Sequence, residues 1–217
     1  MMKKLALIVL FLTAFVTVNA QEAPFYKEIQ NFKKQDSLKF PPKNAVLFIG
    51  SSTFTKWTDV QTYFPKHVII NRGFGGSSLP NLIFYIKDIV YPYQPKQVVI
   101  YCGENDFTGS GTTAKIVVDR VSKLFELIRS RYPKVDIAYV SIKPSPSREK
   151  YLPIMIEANK MIDEMISKMK HAKFINTYDA MFNADGAIKK DIFFADNLHM
   201  NAKGYAIWQK IMEPYLK

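Results

Sequence analysis

Short, unbroken apolar runs, several stopped at once by Gly or Asn, constrain this chain more than any other feature. Ala45-Val46-Leu47-Phe48-Ile49 stops at Gly50, Val68-Ile69-Ile70 at Asn71, and Val98-Val99-Ile100-Tyr101-Cys102 at Gly103. Asp136 to Ile142 forms a fourth run, and Lys173-Phe174-Ile175 a weaker fifth. A run too short for a helix yet apolar at every position suits a strand buried on both faces.

Helical patterns lie between the runs. Val117, Val121, Leu124, Phe125 and Ile128 share one face, with Thr112 or Thr113 as cap. Ala158, Met161, Ile162, Met165, Ile166 and Met169 share another, which reads as a core face, and a last helix is expected over Ala202 to Met212, stopping near Pro214. Strands alternating with helices predict an α/β fold: a three-layer α/β/α sandwich around a mainly parallel five-stranded sheet. With 217 residues the chain is long enough for one such domain and its core. Its single cysteine closes no internal disulfide and builds no Cys-based zinc site.

The first twenty residues read differently. Lys3 and Lys4 precede an apolar stretch from Leu5 to Val18, and Val18-Asn19-Ala20 ends on a small residue. That is the anatomy of a secretory signal peptide, shorter than the ~20 apolar residues that span a bilayer. Residues 1–20 are therefore expected to be a signal peptide, 21–43 an N-terminal helical leader built on Phe25, Ile29 and Phe32, and 44–217 the main domain. The protein is expected to be exported, to the periplasm or outside the cell, with no transmembrane segment. Without Lys3 and Lys4 the balance is still 28 basic to 19 acidic residues. The lysines are scattered and no RNP-type motif occurs, so the charge points to anionic glycans, lipids or cell envelope, with no nucleic-acid partner.

In a parallel sheet, ligands bind beyond the carboxyl ends of the strands. Gly50-Ser51-Ser52-Thr53 follows the first run, Asn71-Arg72-Gly73-Phe74-Gly75-Gly76-Ser77 the second, and Gly103-Glu104-Asn105-Asp106 the third. Asp196-Asn197-Leu198-His199 precedes the last helix. These segments offer what acyl transfer needs: a serine nucleophile, backbone and amide donors for an oxyanion, and a His with a carboxylate three residues away. Taken singly, Ser51 or Ser52 reads as a helix cap, Gly75-Gly76 and Asn105-Asp106 as turns, and His199 as a structural residue. His67 and His171 have no partner motif. It is the ordered set that favours catalysis.

Other site types fit poorly. Gly73-Phe74-Gly75 lacks the third glycine of a dinucleotide motif, because position 78 is Ser78. No P-loop lysine or His-Glu-x-x-His occurs, and Phe54 breaks a Gly-x-Ser-x-Gly elbow.

The four strings together, with Val46-Leu47-Phe48-Ile49 before the first and Asn201-Ala202-Lys203-Gly204-Tyr205 after the last, resemble the SGNH/GDSL hydrolase family. Gly50-Ser51-Ser52 stands where that family usually has Gly-Asp-Ser. This variant is associated with a bacterial branch related to platelet-activating-factor acetylhydrolase-like enzymes. The resemblance implies Ser52 as nucleophile, His199 as base and Asp196 as its partner, with an oxyanion hole made by Ser52, Gly76 and Asn105. It also implies that no metal or cofactor takes part.

The expected activity is hydrolysis of small acyl esters, acetyl foremost, on carbohydrate or another polar alcohol. Short polar segments at Thr108–Thr113 and Pro144–Lys150 leave no room for a lipase lid. Phe74, Phe107, Phe193 and Phe194 are candidates for core or for an acyl or sugar contact. The alternatives are a lysophospholipase or other lipid esterase, and a non-catalytic glycan-binding module on a degenerate hydrolase fold. The oligomeric state is not legible.

Overall fold

The computed structural model describes residues 22–217. The expected signal peptide over 1–20 lies outside the described residues. Chain order is α1 (Tyr26–Leu38), β1 (Val46–Gly50), α2 (Ser52–Thr55), α3 (Val60–Tyr63), β2 (Ile69–Gly73), α4 (Leu79–Phe84) and α5 (Ile86–Ile89). Then follow β3 (Gln97–Tyr101), α6 (Ala114–Arg131), β4 (Asp136–Val140), α7 (Leu152–Ile166), β5 (Ala172–Ile175) and α8 (Ala202–Met212).

The five strands form one parallel sheet in the order β2-β1-β3-β4-β5. Period-two alternation sends successive side chains to opposite faces. Leu47, Ile49, Val98, Ile100, Ile137 and Tyr139 enter one core, beneath residues of α1, α4, α5, α6 and α7. Val46, Phe48, Val99, Tyr101, Ala138 and Val140 enter the other, with residues of α2, α3 and α8. Both faces are covered, which is why β1, and β3 from Val98 to Tyr101, had to be apolar.

On α6, Val117, Val121, Leu124, Phe125 and Ile128 are all buried, and the Thr113 hydroxyl caps the helix by accepting from the Ile116 amide at 3.3 Å. On α7, Ala158, Ile162 and Ile166 are buried while Met161 and Met165 pack at the margin of the same core. Met169 lies past the end of that helix but against the same cluster. The last helix has the expected bounds.

Strand boundaries depart from the apolar runs. β2 continues through Asn71 and Arg72 to Gly73, because ladder bonding to β1 needs backbone groups and not apolar side chains. Arg72 is buried nonetheless. Its guanidinium meets the Asp36 carboxylate at 2.5 Å, the Tyr93 hydroxyl at 2.7 Å and the Asn71 carbonyl at 2.9 Å. Asp36 belongs to α1, whose Ile29 is 1% exposed within the main core. The helix of the 21–43 segment is thus packed onto the sheet's main core by an ion pair and an apolar contact. Among the described residues, no helix is long and apolar enough to cross a membrane.

The order 2-1-3-4-5 places a topological switch point between β1 and β3, where neighbouring connections leave in opposite directions and open a crevice. Ser51-Ser52 follows β1 and Gly103-Glu104-Asn105 follows β3.

Candidate active site

Gly50 ends β1 where the chain must turn sharply into α2. A Cβ there would sit 2.0 Å from the Tyr101 carbonyl oxygen, so only glycine fits, and the same carbonyl accepts the Ser51 amide at 3.1 Å. Ser51 is 3% exposed and occupies the N-cap position of α2, although its hydroxyl makes no cap bond. Ser52, the first helical residue, is half-buried. The hydroxyl that faces the site is therefore that of Ser52.

Asp196 and His199 come from a tight turn before α8. Phe194 N–H donates to the His199 carbonyl at 2.8 Å, and Asn197 N–H to the Phe194 carbonyl at 2.9 Å. Within it, one Asp196 oxygen accepts the Leu198 and His199 amides at 3.0 and 2.9 Å, and the other meets His199 Nδ1 at 2.6 Å. His199 Nε2 then stands 3.0 Å from Ser52 Oγ, across 147 positions of sequence. Burial would raise the Asp196 pKa, but the hydrogen bonds from the His199 ring and the two amides outweigh it and hold the carboxyl well below the usual range. An ionised Asp196 fixes Nδ1 as the protonated nitrogen and leaves Nε2 as acceptor for the serine proton.

Opposite lie donors. Gly76 adopts φ +81°, a left-handed conformation that favours glycine. A Cβ on Gly75 would lie 4.0 Å from that of Ser52, so the Gly75-Gly76 turn borders the serine. Among the described residues, neither the Ser52 nor the Gly76 amide donates to a protein acceptor. Asn105 gives one amide hydrogen to the Ser77 carbonyl at 3.0 Å, which orients the group and leaves its second hydrogen free. Ser77 in turn bonds the Gly50 carbonyl at 3.2 Å, joining the three segments. All five sequence-predicted site residues, Ser52, Gly76, Asn105, Asp196 and His199, come to this end of the sheet.

Two residues named in the motif strings, Asp106 and Asn201, have supporting roles that the sequence does not assign. Asp106 accepts the Leu79 amide at 3.0 Å and pairs with Arg120 at 2.7 Å, locking α4 and α6 to the Asn105 turn. Asn201 caps α8 and donates to the Asp191 and Phe193 carbonyls at 2.8 and 3.0 Å, closing the loop that carries the histidine. A polar residue just ahead of an apolar helix pattern was the available signal for that cap. Phe74, Phe107 and Phe193 are core residues, whereas Phe194 is 53% exposed on the histidine turn. Pro144–Lys150 is not a polar loop throughout: Pro144 and Ser145 are buried and Pro146–Tyr151 forms a 3-10 helix. His67 and His171 pair instead with Glu213 and Asp136. Among the described residues, no group of three or more His, Cys, Asp or Glu side chains could hold a metal ion.

Hydroxyl, imidazole and carboxylate in series, beside unpaired donors at the switch point of a parallel sheet, are the layout of a serine-type ester hydrolase. Residues 46–207 match the GDSL-like Lipase/Acylhydrolase family, and the chain belongs to that family. No protein of curated function matches its sequence. Among solved structures, it is similar to a Streptococcus pneumonia protein named for platelet activating factor, at 22% identity and a TM-score of 0.76 over 88% of this chain and 92% of that one. A GDSL-like lipase from Bacteroides thetaiotaomicron aligns at 20% identity and a TM-score of 0.73, over 86% and 96%. A carbohydrate esterase of family 3 from Talaromyces cellulolyticus aligns at 14% identity and 0.64, over 79% and 95%. At such identities the likeness establishes the shared fold.

Proposed function

We propose that the protein is an exported serine esterase that removes small acyl groups, acetyl foremost, from carbohydrate or similar polar alcohols. The observation that carries the catalytic part is the continuous Ser52–His199–Asp196 hydrogen-bond chain. His199 takes the hydroxyl proton as Ser52 Oγ bonds to the ester carbonyl carbon. The oxyanion accepts from the Ser52 and Gly76 amides and from Asn105. His199 then hands its proton to the departing alcohol, leaving an acyl-serine. Water, deprotonated by the same imidazole, releases the acid and restores Ser52.

The acyl preference rests on the surroundings. The connections after β3 and β4 carry only short 3-10 helices, Asn105–Thr108 and Pro146–Tyr151, too small to fold an apolar lid over the serine. Phe194, 53% exposed on the turn that carries the base, is an aromatic side chain of the kind that stacks on a sugar ring. A carbohydrate esterase is among the proteins that share this fold. Export rests on the sequence of residues 1–20 alone.

Rates on p-nitrophenyl acetate, butyrate and octanoate, together with acetate release from acetylated oligosaccharides, test the assignment. Activity is expected to fall with chain length and to include the oligosaccharides. Rates that rise with chain length would transfer the substrate to lipid esters. Export predicts a mature protein beginning at Gln21; an uncut chain retained in the cytoplasm would refute it.

A further inference from the structure

Behind the histidine turn lies an ion pair that the acyl-transfer scheme does not use. Lys143, just beyond β4, and Glu104, just beyond β3, meet at 3.0 Å with side chains only 1% and 6% exposed. Taking two charges out of water costs more than their attraction returns unless every donor and acceptor is satisfied. Here they are. The Lys143 ammonium donates to both Glu104 oxygens, at 3.0 and 3.3 Å, and to the Leu198 carbonyl at 2.8 Å. Glu104 also accepts from the Tyr101 hydroxyl at 2.7 Å and the Ser145 hydroxyl at 3.1 Å.

The two ends of this pair fall on different parts of the site. Glu104 directly precedes Asn105. The Leu198 carbonyl belongs to the same peptide unit as the His199 N–H, which donates to Asp196 at 2.9 Å. A peptide unit is planar, so a donor that fixes its oxygen also fixes the direction of its N–H. Lys143 thus reaches the Asp196 carboxylate through one rigid plane, and that carboxylate orients the imidazole.

We propose that Lys143 and Glu104 are positioning residues that hold the Asp196–His199 turn in register with Asn105, acting through the Leu198–His199 peptide. The proposal rests on the catalytic assignment above. Neither side chain touches the reacting atoms. A buried salt bridge serves this purpose better than apolar packing because charge-assisted bonds impose direction as well as distance.

The test is a double-mutant cycle on p-nitrophenyl acetate hydrolysis. Lys143→Met is expected to lower kcat by roughly 10–100-fold, the scale of a slight misplacement of catalytic groups, with KM changed less than about twofold. In an Asp196→Asn background, where the carboxylate is already lost, the same substitution should cost less than about threefold, because both changes strike one chain of contacts. Equal losses in both backgrounds, or an unchanged kcat, would overturn the proposal. Lys143→Met leaves a buried carboxylate unpaired and could unfold the protein, so Lys143→Met/Glu104→Gln is measured beside it. That pair of changes restores neutrality and should recover the melting temperature but not kcat. Recovery of both would reduce the ion pair to a stability role and overturn the proposal. Ser52→Ala runs in parallel. Full activity there removes the catalytic assignment itself, whereas an inactive Ser52→Ala with an additive cycle removes only the positioning role.

Discussion

The Tyr205 hydroxyl donates to the backbone carbonyl of Thr53 at 2.8 Å, joining the helix after the base to the residue after the nucleophile. The ring of Tyr205 stacks on Trp57 with centroids 4.6 Å apart. The separation of Ser52 and His199 is thus held by α2 and α8 directly, and not only by the turn between Phe194 and His199. Tyr205→Phe keeps the stacking and removes the bond. It should cost about 1 kcal/mol of stability in urea denaturation, with a several-fold fall in kcat.

Asp36 and Arg72 predict how firmly α1 is bound. Their side chains are 11% and 9% exposed, so Asp36→Ala strands a guanidinium in a nearly dry site. The expected loss is about 3 kcal/mol, read as a lower urea midpoint. A loss within error would mean that α1 is an appendage rather than part of the domain.

Mild acid should leave the Asp196 carboxylate charged. Because the Asp196 pKa is depressed, this group stays ionised until the pH falls well below the usual aspartate range. Any stability linked to it is present above that range and lost only as pH drops through the depressed value. Asp196→Asn should lower kcat by about 10³–10⁴ through the wrong tautomer and should also lose the stability linked to the ionised carboxylate. A kcat within about threefold of wild type in Asp196→Asn would contradict the carboxylate's role.

Cys102 should be chemically silent. Burial pushes its thiol well above the ordinary cysteine range, and nearby Asp106 and Glu104 charges raise it further. Native protein should resist iodoacetamide at pH 8 and react once unfolded in urea, as intact-mass measurement would show. Rapid native labelling would mean that this end of β3 opens.

What could be read from the sequence follows a physical divide. β1 and β3 declare themselves because both faces are covered, and the site residues follow because parallel strands deliver their ends to one place. Asn71 and Arg72 concealed the length of β2, since a polar side chain says nothing about its backbone partners. The family resemblance favours Ser52 over Ser51, and the turn at Gly50 supplies the physical reason, because it buries one residue and presents the other's hydroxyl to His199. Lys143 was hidden most deeply. A lysine beside Pro144 reads as a solvated loop residue, and only the fold brings Glu104 and the Leu198 carbonyl to meet it.

Fluorophosphonate labelling followed by peptide mapping tests the central claim most directly, because such a probe bonds only to an activated serine. The account predicts a single adduct on Ser52, slowed strongly by His199→Ala and unaffected by Ser51→Ala. An adduct on Ser51, or none on a correctly folded protein, would contradict it.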